Sequence, residues 1–478
     1  MYFKQREDVL FRQYDEYGYI TDNSEFGYRM LNDNRPSRGE KFVSQSGAVM
    51  LSTLSRRPRH IDDIVDELAN IFIGVDCDTL KEDTIEFFQY FLEEGYLSFG
   101  ETLEECVDID FNVESEKPKE EQSAIAIGTD DCVKSMFKQN EFLRSIHIEI
   151  ANACNERCVH CYIPHEYKTN IMDSDLFYKI IEDGRKMNII HVTLSGGEPL
   201  LHKDIIKFLA RCRELDLSVN VLSNLTVLTD EIVAEMKKNP LLSVQTSIYS
   251  MDEEVHDSIT KLKGSLEKTI NGLEKLYSVG IPLQISCPVM KQNKESFVDV
   301  IKWGSEHNIA VAVEPVIFAS YDHTGSNLSN RLSIEEIGRA IDLELGEGYA
   351  DSLRETAEEK KSLIAEDPIC SICRYSFCVS VTGDVYPCVG WQTNVFGNLE
   401  GQLLQDIWKN SEKIKCLRKI KRKEFPKCVS CEDRGYCTVC MMSNSNENPD
   451  GDAFRIHDFH CSVAAMIHKK VDEYYAAE

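Results

Sequence analysis

Between Ser145 and Phe318 the chain repeats one alternation, a short apolar segment followed by an amphipathic one. "SIHIEI", "IIHVTLSGG", "LSVNVLSN", "LSVQTSIYS", "PLQISCPVM" and "IAVAVEPVIF" read as strands. "DSDLFYKIIEDGRKM", "HKDIIKFLARCREL", "TDEIVAEMKK", "GSLEKTINGLEKLYSVG" and "ESFVDVIKWGSEHN" read as helices, the first with Asp173 or Ser174 suited to cap it. Strands separated by helices at this interval pair in parallel. About six such units fit, too few for a closed eight-fold barrel. The expected fold class is therefore α/β, a partial (β/α)6 barrel over residues 141–345.

The flanks read differently. Residues 1–105 hold aromatic, alternating stretches such as "FGYRML" and "EKFVSQS", then helical patterns in "SGAVMLSTLSRR", "HIDDIVDELANIF" and "DTIEFFQYFLEEGYLSF". They predict a small α+β module. The charged stretch "ESEKPKEEQSA" marks a linker, placed at 106–140. Residues 346–478 end in a cysteine-rich, loop-rich region with too few apolar runs for a core of its own, so bound metals are expected to hold it together.

The chain has 478 residues and 18 cysteines, with no apolar run fit for a signal peptide or a membrane span. A cytoplasmic protein is expected. A formal net charge of -28 argues against nucleic acid as partner, since that needs a basic face. The basic run "KIKCLRKIKRKEFPK" reads as an amphipathic helix, either a solvated face or an anion site. In a reducing compartment many cysteines point to metal rather than disulfides. The solitary Cys77, Cys106, Cys132, Cys212 and Cys287 read as buried apolar fillers.

Directly after the first barrel strand comes "ANACNERCVHCY", placing Cys154, Cys158 and Cys161 in one short loop. Ligands bind at the C-terminal ends of parallel strands. Thiolates suit zinc or iron–sulfur clusters. A closed zinc site takes four ligands, which His160 or His165 would have to complete. A [4Fe–4S] cluster on three thiolates instead leaves one iron open to a small molecule. The next strand ends in Ser195, Gly196, Gly197 and Glu198, where glycines permit close backbone approach and a carboxylate suits an ammonium group.

C-x3-C-x2-C followed by GGEP resembles the radical S-adenosylmethionine superfamily, with His160 where an aromatic usually precedes the last cysteine. The resemblance implies a [4Fe–4S] cluster on Cys154, Cys158 and Cys161, with S-adenosyl-L-methionine chelated to the free iron. It implies that Ser195, Gly196, Gly197 and Glu198 line the methionine moiety, and that Asn224 and Ser247 contact ribose or carboxylate. The reaction it implies is reductive cleavage to a 5′-deoxyadenosyl radical that abstracts hydrogen from substrate, with a flavodoxin or ferredoxin as reductant.

Toward the C-terminus, Cys370, Cys373, Cys378 and Cys388 precede a Cys428-x2-Cys431-x5-Cys437-x2-Cys440 run and Cys461. From spacing alone, zinc ribbons and clusters are both open. The pattern resembles the SPASM extension, with one residue fewer than usual in the last pair. That implies two auxiliary [4Fe–4S] clusters, making three in all. One would sit on Cys370, Cys373, Cys388 and Cys440, the other on Cys428, Cys431, Cys437 and Cys461. Cys378 is surplus, or replaces Cys370 or Cys373. The N-terminal module resembles the winged-helix-like recognition domain of peptide maturases, which implies a precursor peptide as partner, its leader added to a sheet edge. Expected chemistry is cross-linking, first a cysteine thioether as in sactipeptides and ranthipeptides. Alternatives are carbon–carbon or carbon–oxygen links and a sulfatase-maturase-like oxidation of Cys or Ser. Tyr249, Asp257 and Glu314 stand as candidate bases.

Overall fold

A computed structural model describes residues 1–22, 26–31, 38–106 and 142–477. Apart from Cys106, the expected linker lies outside them, as does Cys132.

The N-terminal module forms β1 (Tyr2–Gln5), β2 (Leu10–Gln13), β3 (Tyr17–Thr21), β4 (Glu40–Ser44), α1 (Gln45–Ser52), β5 (Arg59–His60), α2 (Ile61–Ala69), α3 (Cys77–Glu93) and β6 (Leu97–Gly100). Two antiparallel three-stranded sheets, ordered β5-β1-β6 and β2-β3-β4, pack on the helices. Phe3, Val43, Ile64, Leu68, Phe88 and Phe91 form their shared core. Asp76 starts α3 by accepting the Asp78 and Thr79 amides. Cys77 is exposed there, not a buried filler, because the first turn of α3 faces solvent. Cys106, Cys212 and Cys287 are buried as expected.

The barrel runs β7 (Ser145–Ala151), α4 (Ser174–Lys186), β8 (His191–Gly196), α5 (Ile205–Glu214), β9 (Ser218–Leu222), α6 (Asp230–Met236), β10 (Leu242–Ser247), α7 (Glu253–Thr260), α8 (Ser265–Ser278), β11 (Leu283–Pro288), α9 (Phe297–Glu306) and β12 (Ala310–Glu314). These strands stand in chain order, β12-β11-β10-β9-β8-β7, all pairs parallel. Unbroken order is the signature of a barrel wall, since a doubly wound sheet reverses at its switch point. The partial (β/α)6 barrel is therefore observed. Asp173 caps α4.

Each strand alternates strictly. Ile146, Ile148, Ile150, Val192, Leu194, Val219, Val221, Val244, Leu283 and Ile285 pack outward against the helices, fully or almost fully buried. His147, Glu149, Thr193, Ser195, Asn220, Ser243, Gln245, Gln284 and Ser286 hold the inward positions. A closed eight-stranded barrel fills its interior with branched apolar side chains. Here the lumen is polar, and Gln245 donates to its neighbour Gln284 on the adjacent strand at 2.6 Å.

The expected strand "FGYRML" is instead a plug across the N-terminal mouth of the barrel. Phe26 stacks on His191 at 5.1 Å, the Asn220 amide donates to the Phe26 carbonyl at 2.7 Å, and the Tyr28 N–H donates to Ser243 Oγ at 3.2 Å. Its alternating aromatics fit lumen side chains rather than a neighbouring strand. The module is further seated by Tyr17, Tyr19 and Phe42 against Ile190 and Leu241.

Beyond the barrel come α10 (Ile334–Glu344), α11 (Ala350–Ser362), β13 (Ser376–Val379), β14 (Asp384–Tyr386), β15 (Gly397–Asn398), α12 (Leu404–Asn410), α13 (Glu412–Arg418), α14 (Pro426–Val429), α15 (Met441–Glu447) and α16 (Asp458–Ala477). β13 adds in parallel to β7, and the β13–β14 hairpin turns at Gly383, whose φ is +80°. The cysteine-rich region thus grafts onto the barrel's first strand. The basic run is not one helix: α13 ends at Arg418, and Lys421 and Lys423 pair with Glu366 at 2.8 and 3.1 Å. Its charges are spent on neighbours, which favours the solvated-face reading. Among the described residues no helix is long and apolar enough to cross a membrane.

Arg12 is wholly buried, donating to the Ile189 carbonyl and to Asp216, both at 3.0 Å. Truncating this side chain leaves a cavity and unpairs the buried Ile189 carbonyl. Arg12→Ala should lower unfolding stability by about 3 kcal/mol, read by chemical denaturation.

Candidate active site at the barrel mouth

The loop after β7 is held on every side by main-chain bonds. Asn152 and Ala153 N–H groups donate to the Asn170 carbonyl at 2.8 and 3.1 Å. Arg157 and Val159 donate to Thr260 and Ile259 carbonyls at the end of α7, a helix the sequence reading did not place. Side-chain amides of Asn327 and Asn330 donate to the His160 and Val159 carbonyls, each at 2.9 Å. This backbone cage presents Cys154, Cys158 and Cys161 at one corner of the barrel's C-terminal mouth.

Burial pushes the Cys154 thiol up to about 11 and the Cys158 thiol further. Such thiols resist ionising unless a cation stands beside them. Lys168, itself buried, supplies one: its ammonium is desolvated, yet Cys161, Cys154 and Cys158 together keep its pKa raised. The remaining negative charge calls for a metal. Among the described residues no three His, Cys, Asp or Glu side chains converge as around a single ion. Two or more iron atoms bridged by sulfide ask for a wider ring of thiols. His160, the candidate zinc ligand, packs edge-on to Tyr249 at 5.1 Å.

The Gly-Gly turn lies directly against this loop. A Cβ on Gly196, whose φ is +123°, would stand 2.1 Å from the Ala151 carbonyl oxygen, and one on Gly197 2.4 Å from that of Asn152. The Glu198 N–H donates to the Ala153 carbonyl at 2.9 Å. The glycines therefore admit the cysteine loop itself, where the sequence reading assigned that room to a ligand. Glu198 is fully buried, accepting from the Leu200 and Asn224 amides and Ser223 Oγ at 2.8 Å each. Burial raises its pKa to about 7. Asn224 ties the same corner together, donating to Asn155 at 3.0 Å and accepting from Thr226. Ser195 contacts His147, and half-buried Ser247 ends β10.

The candidate bases separate. Asp257 is consumed by the Ser265 and Leu266 amides at the start of α8. Tyr249 is buried with its hydroxyl 3.9 Å from Cys158 Sγ. Glu314 is exposed at the end of β12.

Two further thiol groups gather in the C-terminal region. Cys388 senses Cys440, Cys370 and Cys373 electrostatically, after the dominant effect of burial. Cys437 senses Cys428, Cys461 and Cys431 in the same way. Buried Cys378 adjoins Cys388 and Cys373. Arg418, stacked on Trp408 at 4.2 Å, donates to the Cys373 carbonyl at 2.7 Å and so fixes the first set.

Sequence reasoning missed Lys168, Glu149 and Gln392. Glu149 was detectable: it and His147 are ionisable groups at alternate positions of an otherwise apolar strand.

Thiols gathered in the barrel-mouth loop and in the C-terminal region, with Lys168 and Arg418 beside them, suit iron–sulfur chemistry on a parallel barrel. Residues 148–304 match the radical SAM superfamily and residues 370–432 the SPASM iron–sulfur cluster-binding domain. The chain therefore carries a radical SAM domain followed by a SPASM domain. It is 26% identical over 324 residues to the AdoMet-dependent heme synthase of Methanosarcina barkeri, covering 62% of this chain and 90% of that one. It is 23% identical over 355 residues to the PqqA peptide cyclase of Methylocella silvestris, covering 69% and 92%. Streptococcus suis SuiB, solved bound to its precursor peptide SuiA, shares the fold with a TM-score of 0.60 at 17% identity, covering 96% of this chain and 99% of that one.

Gly196→Ala has no space without moving the cysteine loop. It should lower the thermal midpoint of the anaerobic protein, with a cost of about 2 kcal/mol or more.

Proposed function

We propose that this protein is a peptide maturase that cross-links a ribosomally made precursor peptide, forming a cysteine thioether in the first instance. One observation carries the reading: an N-terminal α+β module is docked, through Tyr17, Tyr19 and Phe42, to the barrel whose mouth carries Cys154, Cys158 and Cys161. A small-molecule radical enzyme has no use for that module. The likeness to SuiB along nearly the whole chain supports it, as does the similarity to a peptide cyclase.

Cys154, Cys158 and Cys161 hold the cluster that binds S-adenosyl-L-methionine. Cys370, Cys373, Cys388 and Cys440 hold one auxiliary cluster, and Cys428, Cys431, Cys437 and Cys461 the second. When bound, the first cluster and its cofactor supply a 5′-deoxyadenosyl radical that takes a hydrogen atom from the peptide. The chain's own residues orient and shield. Lys168 offsets thiolate charge. Glu198, protonated or not, holds the ends of β8 and β9 in register for the cofactor's methionine end. Gln245, Ser247, Gln284 and Ser286 offer amide and hydroxyl partners to a peptide backbone in the lumen. The module receives the leader by strand addition to a free sheet edge. The protein works in the cytoplasm, with flavodoxin or ferredoxin as electron donor.

Anaerobic reconstitution should yield about twelve irons per chain, and replacing Cys154, Cys158 and Cys161 by Ala should remove about four. Co-expression with a precursor peptide should give a mass loss of two hydrogens per link. A 5′-deoxyadenosine-forming protein that leaves every neighbouring-gene peptide unchanged would defeat the reading.

A further inference from the structure

Glu149 is a carboxylate the reading above does not use. It sits on β7 at an inward position, with no exposed surface. Both its oxygens accept from one atom, Nε2 of Gln392, at 2.8 and 2.7 Å. Gln392 lies in the turn that follows Cys388. The other groups facing the carboxylate are Tyr162 from the cysteine loop, Tyr321 from the segment after β12, Tyr386 from β14 and Cys378 from β13. None is a cation. Burial raises the carboxyl pKa to about 7, against the donors Tyr386 and Gln392.

This is an unusual place for a carboxylate. A link between barrel and hairpin would be made as well by two amides, without the cost of burying charge. One amide nitrogen shared by two oxygens leaves acceptor capacity for a proton. Tyr162 and Gln392, both half-buried, face the carboxylate, Gln392 through its amide and Tyr162 electrostatically. Tyr162 follows Cys161 directly, and Gln392 is four residues beyond Cys388. Glu149 therefore stands between the radical-generating corner and the nearer auxiliary thiols.

We propose that Glu149 receives the proton released when the peptide cross-link closes. The inference rests on the cross-linking reading. The balance is as follows. One substrate C–H gives its hydrogen atom to the 5′-deoxyadenosyl radical, forming 5′-deoxyadenosine. The carbon radical then bonds to the cysteine sulfur, whose S–H bond breaks. The proton goes to Glu149. The surplus electron goes to an oxidised iron–sulfur cluster on the Cys388 side. Proton and electron end up as neighbours, so little net charge is displaced in a low-dielectric interior.

Glu149→Gln preserves volume and an amide partner for Gln392 but cannot take a proton. It should retain wild-type iron content and substrate-free cofactor cleavage, while linked peptide per 5′-deoxyadenosine falls about 100-fold. The wild-type linking rate should fall as pH drops through about 7, following the Glu149 carboxyl. Removing the amide donor in Gln392→Ala should move that limb to higher pH, because the carboxylate loses a stabilising partner. Infrared spectroscopy of the resting protein should show a carboxylic-acid band that titrates over the same range and vanishes in Glu149→Gln. Wild-type linking and an unchanged pH limb in Glu149→Gln would overturn the assignment. If Glu149→Gln loses iron, Gln392→Ala decides, and an unshifted limb overturns it. A wild-type protein that cleaves its cofactor yet links no peptide overturns the cross-linking reading, and this assignment with it.

Discussion

The site rests on how closely the end of β8 approaches the end of β7. Gly196 and Gly197 run against the carbonyls of Ala151 and Asn152 with no space for a side chain. The β7–β8 register shifts between Glu149 and Ala151 at the same point. That contact sets the direction in which the chain leaves β7, and so where Cys154, Cys158 and Cys161 stand. Glu198, anchored to Leu200, Ser223 and Asn224, extends the constraint to β9. Three strand ends are thus fixed by backbone and buried polar bonds before any metal arrives.

Electrostatics follows from that geometry. Concentrating thiols in a desolvated loop raises their proton affinity, and Lys168 stands nearby to offset it. The C-terminal thiols meet the same problem, with Arg418 lowering the Cys373 pKa against its burial. Metal binding resolves what the side chains leave unresolved, so loading and local folding are expected to be coupled. The cysteine-rich region has a second anchor in β13, which pairs with β7. One strand therefore carries the cysteine loop at its end and the C-terminal region at its edge.

Much of this was legible in the sequence because period and punctuation agreed. Every barrel strand read from "SIHIEI" to "IAVAVEPVIF" is observed, as is the Asp173 cap. The thiol sets followed from spacing and resemblance. What escaped was set by tertiary context. "FGYRML" alternates like a strand but serves as a plug, since its aromatics answer His191 and the polar lumen. The basic run looks helical throughout, yet Lys421 enters an isolated bridge with Pro368 that breaks it. Helix α7 is short and its apolar content low, so only its contact with the cysteine loop explains it. The glycines' close approach to the cysteine loop was not legible, because a sequence shows that a Cβ is absent, not which neighbour requires it.

The account stands on one iron left without a protein ligand at the Cys154–Cys161 loop. Electron–nuclear double resonance on the reduced protein, with S-adenosyl-L-methionine isotopically labelled at its amino nitrogen, tests this directly. The account predicts a hyperfine coupling from that nitrogen to the cluster, lost when Cys158 is replaced by Ala. A reduced cluster that shows no coupling to the bound cofactor, or a loop that holds only zinc, would contradict it.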